Sequence, residues 1–268
     1  MNKIKYFIFI SVIIIFHIEL KSQDIEVSPV SLLFNAEPGE TQTRLITVKN
    51  HGNKNTEILL SLQDFLIWKE GEREYLPANS TRNSIANWIS ISPSFINIPP
   101  NEEKTVSITL QAPIDDYSSK WGIVSVSTTT ERTAYNAGEN LTAGVGVLGR
   151  INVNLSYSPA SNQNFKAKIS NLKEITTEED TVRVFTANID NIGDKITECK
   201  VYLIAANLQT AEEKQFPPIT VTAYPKSARL VELKLPDVLS KGKYSLSAIL
   251  DFGSRSSLEG TQIIIDVP

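Results

Sequence analysis

The chain has 268 residues, with 26 Lys and Arg against 30 Asp and Glu, and it contains one cysteine and two histidines. This acidic balance argues against nucleic acid as a partner, because phosphate binding needs a concentrated basic surface. A single cysteine, Cys199, excludes an intramolecular disulfide, and its place in a predicted strand indicates a small buried apolar side chain.

Residues 1–22 have the pattern of an export signal. Lys3 and Lys5 give a positive start, residues 6–18 are apolar, and Ser22 is a small residue at a plausible cleavage site. The apolar run of about thirteen residues is short for a membrane span, and an uncleaved anchor is the alternative. Cleavage would remove three of the 26 basic and one of the 30 acidic side chains, which leaves 23 and 29 and a net charge of about −6. We therefore expect a bacterial protein that is periplasmic or secreted.

Residues 23–158 are predicted to form one domain of short strands separated by turns. Turn sequences such as Glu37-Pro38-Gly39-Glu40 separate strand-like segments, which lie near residues 25–34, 44–50, 57–65, 88–91, 105–110 and 122–129. Strand-length segments at intervals of about ten residues are typical of a β-sandwich. No window has a convincing helical period.

The longest alternation covers residues 141–157. Successive side chains of a strand point to opposite faces, so the pattern predicts one apolar face over seventeen residues, although strands usually have about five or six. Two interpretations stay open. Residues from about 138 to 149 form a free edge that pairs with a strand of another protein, or the run is a bent internal strand with its glycines at a bulge. The apolar residues of the run are Leu141, Ala143, Val145, Val147, Ile151, Val153, Leu155 and Tyr157.

A polar segment at residues 158–163 contains a proline and is predicted to be a linker. The strand pattern then restarts, and about seven strands in about 105 residues fit an immunoglobulin-like domain over residues 164–268. The predicted fold class is therefore all-β, with two immunoglobulin-like β-sandwich domains in tandem.

The two predicted domains share a short motif. Residues 48–53 and 189–194 both end an alternating strand in an Asn-x-Gly turn. Glycine and asparagine both tolerate the left-handed backbone that such turns use, so a hairpin preference explains the motif about as well as a duplication.

The predicted mature chain lacks the residues of common catalytic and metal sites. His51 is its one histidine, lies in a turn and has no nucleophile-elbow sequence beside it. His51 and Cys199 are the only side chains that could supply a nitrogen or sulfur ligand to a metal ion. The acidic residues that are adjacent to one another in the sequence lack the Asp-x-Asp spacing of calcium sites. We expect no enzymatic activity, no cofactor and no metal, which leaves binding as the function.

With these features the sequence resembles the periplasmic pilus-assembly chaperones of the chaperone–usher type. The similarity is carried by residues 25–34, by the turn at residues 99–102 and by residues 150–159, and it covers residues 25–159 loosely. The resemblance implies two immunoglobulin-like domains. It also implies that the last strand of the first domain, with the loop before it, lends apolar side chains to a pilus subunit. Val145 and Val147 match those donating positions.

The resemblance further implies that an arginine of the first strand and a lysine of the long strand bind the terminal carboxylate of the subunit. This sequence has Ser31 and Asn152 at those positions. Neutral hydrogen bonds are roughly half as strong as charge-assisted ones, so Arg150, two residues from Asn152, is the candidate substitute. The predicted partner-binding residues are Ser31, Leu141, Ala143, Val145, Val147, Arg150, Ile151, Asn152 and Val153.

The first domain is also similar to wall-surface proteins of Gram-positive bacteria that bind peptidoglycan and WxL-type partners, through residues 37–41, 88–113 and 120–124. The leading hypothesis is an exported chaperone for fimbrial or other envelope subunits that acts by strand addition and whose partners are proteins. The alternative is an envelope scaffold or adhesin that binds peptidoglycan or surface proteins through loops. Its candidate contacts are Trp68, Trp88, Trp121 and the loop of Tyr135.

Replacement of both Val145 and Val147 by aspartate should abolish co-purification of the partner, because a charge cannot enter an apolar pocket without a large cost. The isolated variant should keep its circular dichroism spectrum. Thr142→Asp, on the opposite parity of the same run, is the control and should retain the partner. Recovery of the partner at the wild-type level with the double aspartate variant would contradict the leading hypothesis.

Overall fold

The computed structural model describes residues 24–129, 132–133, 146–147, 149–236, 239–253 and 257–268. Within these ranges the one helical segment is a short 3₁₀ turn at Ala86–Trp88. The strands up to the predicted linker are β1 (Ile25–Ser28), β2 (Ser31–Phe34), β3 (Thr41–Asn50), β4 (Thr56–Ile67), β5 (Arg73–Pro77), β6 (Ile89–Ser92), β7 (Phe95–Ile98), β8 (Glu103–Gln111), β9 (Lys120–Thr128), β10 (Arg132–Thr133), β11 (Gly146–Val147) and β12 (Arg150–Tyr157).

Two sheets enclose the core of the first domain. One has the strand order β1-β3-β8-β6, and the other has the order β2-β12-β9-β4-β5 with β7 also paired to β4. Alternate side chains of each sheet point inward, which buries Ile46, Ile108, Val124 and Leu155 in one cluster between the sheets. The first domain is therefore a β-sandwich, as the alternation predicts.

The described part of the long alternating run forms two strands rather than one. Gly149 lies between β11 and β12, outside both. It stays next to β9, because its carbonyl accepts from the Thr128 N–H at 3.0 Å and its own N–H donates to Thr128 Oγ1 at 3.2 Å. A side-chain hydroxyl thus replaces one backbone acceptor of the ladder, and the regular pairing is interrupted there. The described residues thus interrupt the run at a glycine, which agrees with the interpretation of a bent strand, and residues 141–145 and 148 lie outside them.

The second half of that run behaves as predicted. Val153, Leu155 and Tyr157 of β12 are buried in the core of the first domain, and Ile151 packs partly against it. β11, by contrast, forms a two-stranded antiparallel ladder with β10.

The second domain repeats the architecture. A sheet of order β13-β14-β18 packs on a sheet of order β16-β15-β19-β20, in which β17 also pairs with β15. Cys199 is fully buried in the core between them, as predicted. The strands are β13 (Ala167–Glu174), β14 (Arg183–Asn191), β15 (Thr197–Asn207), β16 (Glu213–Gln215), β17 (Ile219–Ala223), β18 (Ser227–Leu235), β19 (Gly242–Asp251) and β20 (Glu259–Val267).

The Asn-x-Gly turns of the two domains carry the same buried hydrogen-bond network. Asn191 Nδ2 donates to the carbonyls of Lys195 and Ala223, both at 2.9 Å, and its Oδ1 accepts from the Gly193 N–H at 3.0 Å. Asn50 makes the equivalent bonds in the first domain. Its Nδ2 donates to the carbonyls four residues ahead and at the end of β7, and its Oδ1 accepts from the N–H two residues ahead. Each asparagine thus fixes a turn and ties it to a neighbouring strand.

Asn191→Ala should lower the free energy of unfolding of the second domain by about 2–4 kcal/mol, because it leaves buried backbone groups without partners. Urea denaturation followed by far-UV circular dichroism measures this loss. Asn97→Ala, at an exposed position of β7, is the control and should change stability by less than about 0.5 kcal/mol. Equal stability of the two variants would show that the network contributes nothing.

Candidate functional site

Strand β12 has one edge that is only half covered. Its pairing with β2 begins where Ser31 lies opposite Asn154 and the Asn154 N–H donates to the Val30 carbonyl at 2.9 Å. The two strands then run parallel to Tyr157. Residues 150–153 pair with β9 and with no other strand of the described residues. We call residues 150–153 the open edge.

The backbone groups of the open edge follow from the alternation along β12. Neighbouring residues of a strand direct their N–H and C=O groups to opposite sides. Those of Arg150 and Asn152 therefore point the same way as those of Asn154, away from β9. An edge with unpaired N–H and C=O groups is a template for another strand, and here it continues in line from the end of β2.

The side chains of the open edge differ on its two faces. Val153 and Ile151 point to the core, whereas Asn152 and Arg150 lie on the outer face of the sheet. Asn152 Oδ1 is buried without a hydrogen-bond partner among the described residues. Because such an oxygen costs free energy, a donor from a bound partner would stabilise the complex at this point.

The outer face beside the open edge is polar. Asn152 lies opposite Ser125 of β9, which lies opposite Ser61 of β4, and Arg150 lies opposite Ser127 in the next row. The hydroxyls of Ser125 and Ser127 are 3.2 Å apart. A partner that covers this face would therefore meet hydrogen-bonding groups beside β12, and the exposed side chain of Leu59 farther along the row of Ser127.

Arg73 of β5 extends across the outer face to β12. Its Nη1 donates to Asn154 Oδ1 at 2.6 Å, and its Cζ lies 4.7 Å from the centroid of the Phe65 ring. The side chain is exposed, and among the described residues no carboxylate lies within ion-pair distance of it. Burial raises the pKa of Tyr224, and the charge of Arg73 opposes that rise. An aromatic ring and an amide thus hold a guanidinium that keeps unused N–H donors.

The two domains meet next to Arg73. Phe65, Trp121 and Tyr224 belong to one buried cluster, with Tyr224 edge-on to Phe65 at 5.7 Å and to Trp121 at 5.0 Å between ring centroids. The turn between β4 and β5 adds a backbone bond, since the Leu230 N–H donates to the Lys69 carbonyl at 2.7 Å. The hairpin of β4 and β5 therefore contacts both the second domain and β12.

The segment between the domains is fixed rather than loose. Asn162 is buried, and its Nδ2 donates to the Tyr117 carbonyl of the first domain at 3.3 Å and to the Asp194 carbonyl of the second at 3.4 Å. Lys195 Nζ in turn donates to the Asn162 carbonyl at 3.1 Å.

The predicted partner-binding residues fall into four groups. Four of them form the open edge. Ser31 is exposed on the same outer face as Asn152, but its register partner is Asn154. Val147 lies in β11, where the backbone pairs with Arg132. Leu141, Ala143 and Val145 lie outside the described residues.

Sequence reasoning missed Arg73. It lies 81 residues before Asn154 along the chain, so no local pattern connects the two. The available signal was a cation directly after a turn sequence, at the start of a short strand. Its contact with β12 depends on the order of strands in the sheet, which the sequence pattern does not give.

The tryptophans of the alternative hypothesis have different surroundings. Trp121 is buried between the domains, and Trp88 packs on Tyr157 with ring centroids 5.4 Å apart. Trp68, in the turn between β4 and β5, is 53% exposed.

The described residues hold no group of three or more His, Cys, Asp or Glu side chains that could bind a metal ion, and no helix in them is long and apolar enough to cross a membrane. His51 is exposed, as predicted, with Nε2 2.7 Å from Glu26 Oε2.

Comparison with known proteins gives similarities of fold. No family model and no curated protein matches the sequence. The solved structures of similar fold include fimbrial chaperones, the class that the sequence resembles. The chaperone of a chaperone–tip adhesin complex of CFA/I fimbriae has a TM-score of 0.48 and 12% identity, over 92% of this chain and 100% of that one. The class 5 fimbriae chaperone CfaA has a TM-score of 0.47 and 11% identity, over 91% and 99%. A chain of the CsuC–CsuE chaperone–tip adhesion subunit complex of Acinetobacter baumannii has a TM-score of 0.47 and 11% identity, over 91% of this chain and 98% of that one.

The thiol of Cys199 is buried and therefore unreactive in the folded protein. Burial, with the negative charge of Asp251, raises the pKa of the Cys199 thiol to about 12. The thiolate is the reactive species, so reaction with a disulfide reagent at pH 8 should be undetectable before unfolding and complete in urea. Asn97→Cys provides an exposed thiol as the control and should react at once. Equal rates at both positions would contradict the burial of Cys199.

Proposed function

We propose that this chain is an exported, non-enzymatic binding protein that holds a protein partner by strand addition at the open edge, as a chaperone for fimbrial or other envelope subunits. The observation that carries the proposal is the backbone of Arg150 and Asn152, which no other strand of the described residues pairs on this side, in a strand that is otherwise paired. Backbone hydrogen bonds would give the affinity of such a complex.

The added strand would occupy the space that β2 leaves vacant. Because the parallel pairing of β2 begins at Asn154, a partner strand at residues 150–153 would lie end to end with the N-terminal end of β2 and extend the same sheet. β10 and β11 continue the hairpin of β9 and β12 beyond this point, so the partner could also run along β11. Ile151 and Val153, whose side chains point to the core, are the apolar residues of β12 that would lie next to the added strand.

Two cations flank the open edge on the outer face. Arg150 is exposed on the edge itself, and Arg73 is held at Asn154. With Ser31 and Asn152 uncharged, these arginines are the groups that would bind a carboxylate of the partner by charge-assisted hydrogen bonds.

The alternative, an envelope scaffold or adhesin that binds wall components through loops, is favoured by one observation. Trp68 is exposed at the tip of a hairpin, where an aromatic ring can stack on a ligand. Retention on purified cell-wall material that Trp68→Ala abolishes would support this function in place of strand addition.

Asn152→Pro tests strand addition directly, because it removes an N–H that points to the open edge and leaves the ladder with β9 intact. Asn152→Ala is the matched control, since it removes the same side chain and keeps the N–H. Affinity purification from envelope extracts, quantified by mass spectrometry, should recover one stoichiometric partner with the wild type and with Asn152→Ala. The proline variant should recover about tenfold less, the loss that corresponds to one hydrogen bond. Equal recovery with both variants would refute strand addition at this edge.

A further inference from the structure

A second candidate binding site lies between the domains, away from the open edge. It is a cavity of about 410 Å³, a size typical of sites for small molecules. Both domains line it, and none of residues 150–153 does. Its lining includes Phe65, Trp121 and Tyr224 on one side and Ser80, Thr81 and Arg82 on another.

The aromatic side of the cavity is rigid. Phe65, Trp121 and Tyr224 are almost fully buried and pack edge to face. Only narrow edges of these rings are accessible from the cavity, and rings held in this way lose little conformational entropy when a ligand binds.

The polar side of the cavity is also held in place, by hydrogen bonds within the protein. Asp64 is fully buried and accepts hydrogen bonds from the Thr81 N–H at 2.8 Å, from Thr81 Oγ1 at 3.1 Å and from Ser84 Oγ at 2.7 Å. A buried carboxylate with three donors holds the loop that contains Arg82 in one conformation.

The charges that line the cavity leave one cation uncompensated. Lys226 pairs with Asp194 at 3.1 Å, and Lys226 also donates to the Ile192 carbonyl at 2.8 Å. Arg82 has no carboxylate within ion-pair distance in the part of the chain that the structure describes. The side chains that line the cavity therefore include two cations and one anion, and the carboxylate of Asp64 lies behind Thr81 rather than in the lining.

We propose that this interdomain cavity binds a small organic anion with an aromatic or aliphatic body. The apolar body would pack on Phe65, Trp121 and Tyr224, and the anionic group would pair with Arg82. A ligand at this place contacts both domains and would hold them together. The site is separate from the proposed strand addition and does not depend on it.

The matched probes are 8-anilinonaphthalene-1-sulfonate and its uncharged analogue N-phenyl-1-naphthylamine. Fluorescence titration should give saturable one-to-one binding of both, with tighter binding of the sulfonate. Arg82→Gln should weaken sulfonate binding about fivefold, the effect of one partly exposed ion pair, and should leave the neutral probe unchanged. Ser80→Trp, which narrows the cavity, should weaken both probes, whereas Ser94→Trp at an exposed site outside the cavity should weaken neither.

Three results would overturn the proposal: binding that does not saturate, no effect of Ser80→Trp, or equal loss of both probes with Arg82→Gln. Asn152→Pro should leave both titrations unchanged. The outcome at the cavity is therefore independent of whether strand addition occurs.

Discussion

The structure depends on how its first strands divide between two sheets. β1 pairs with β3 in one sheet, and after residues 29 and 30 the chain continues as β2 in the other. β2 has four residues and β12 has eight, so β2 cannot cover its neighbour. The open edge follows from this mismatch of length. Proteins usually shorten, charge or cover such an edge. An uncovered edge beside a buried apolar face is explained if the strand of a partner pairs with it.

The hairpin of β4 and β5 connects three features that are far apart in the chain. Its turn bonds to β18 of the second domain, its Phe65 packs on Tyr224, and its Arg73 holds Asn154 of β12. The contact between the domains and the end of the open edge therefore share one rigid element. Asn162 adds a second tie between the domains, so the junction on which the cavity depends is well packed.

Local patterns were sufficient to predict part of this molecule. Alternation identified the core face of Val153, Leu155 and Tyr157, and turn chemistry located the Asn-x-Gly turns. Both signals act over a few residues, within the range of side-chain periodicity and backbone preference. The choice between a straight and an interrupted run at Gly149 could not be made from the sequence, because it depends on a hydrogen bond to Thr128 of another strand. The predicted free edge over about residues 138–149 lies almost entirely outside the described residues and stays a prediction, whereas the bounds of the open edge could not be predicted because the register of β2 sets them. Arg73 was missed because its partner is 81 residues away.

Amide hydrogen exchange at β12 tests the central claim most directly. In the isolated protein the amides of Arg150 and Asn152 should exchange rapidly, while those of Ile151 and Val153, paired with β9, should be protected. In the purified complex with the partner, the amides of Arg150 and Asn152 should become protected and the other two should change little. Protection of Arg150 and Asn152 in the isolated protein, or rapid exchange of both in the complex, would contradict strand addition at the open edge.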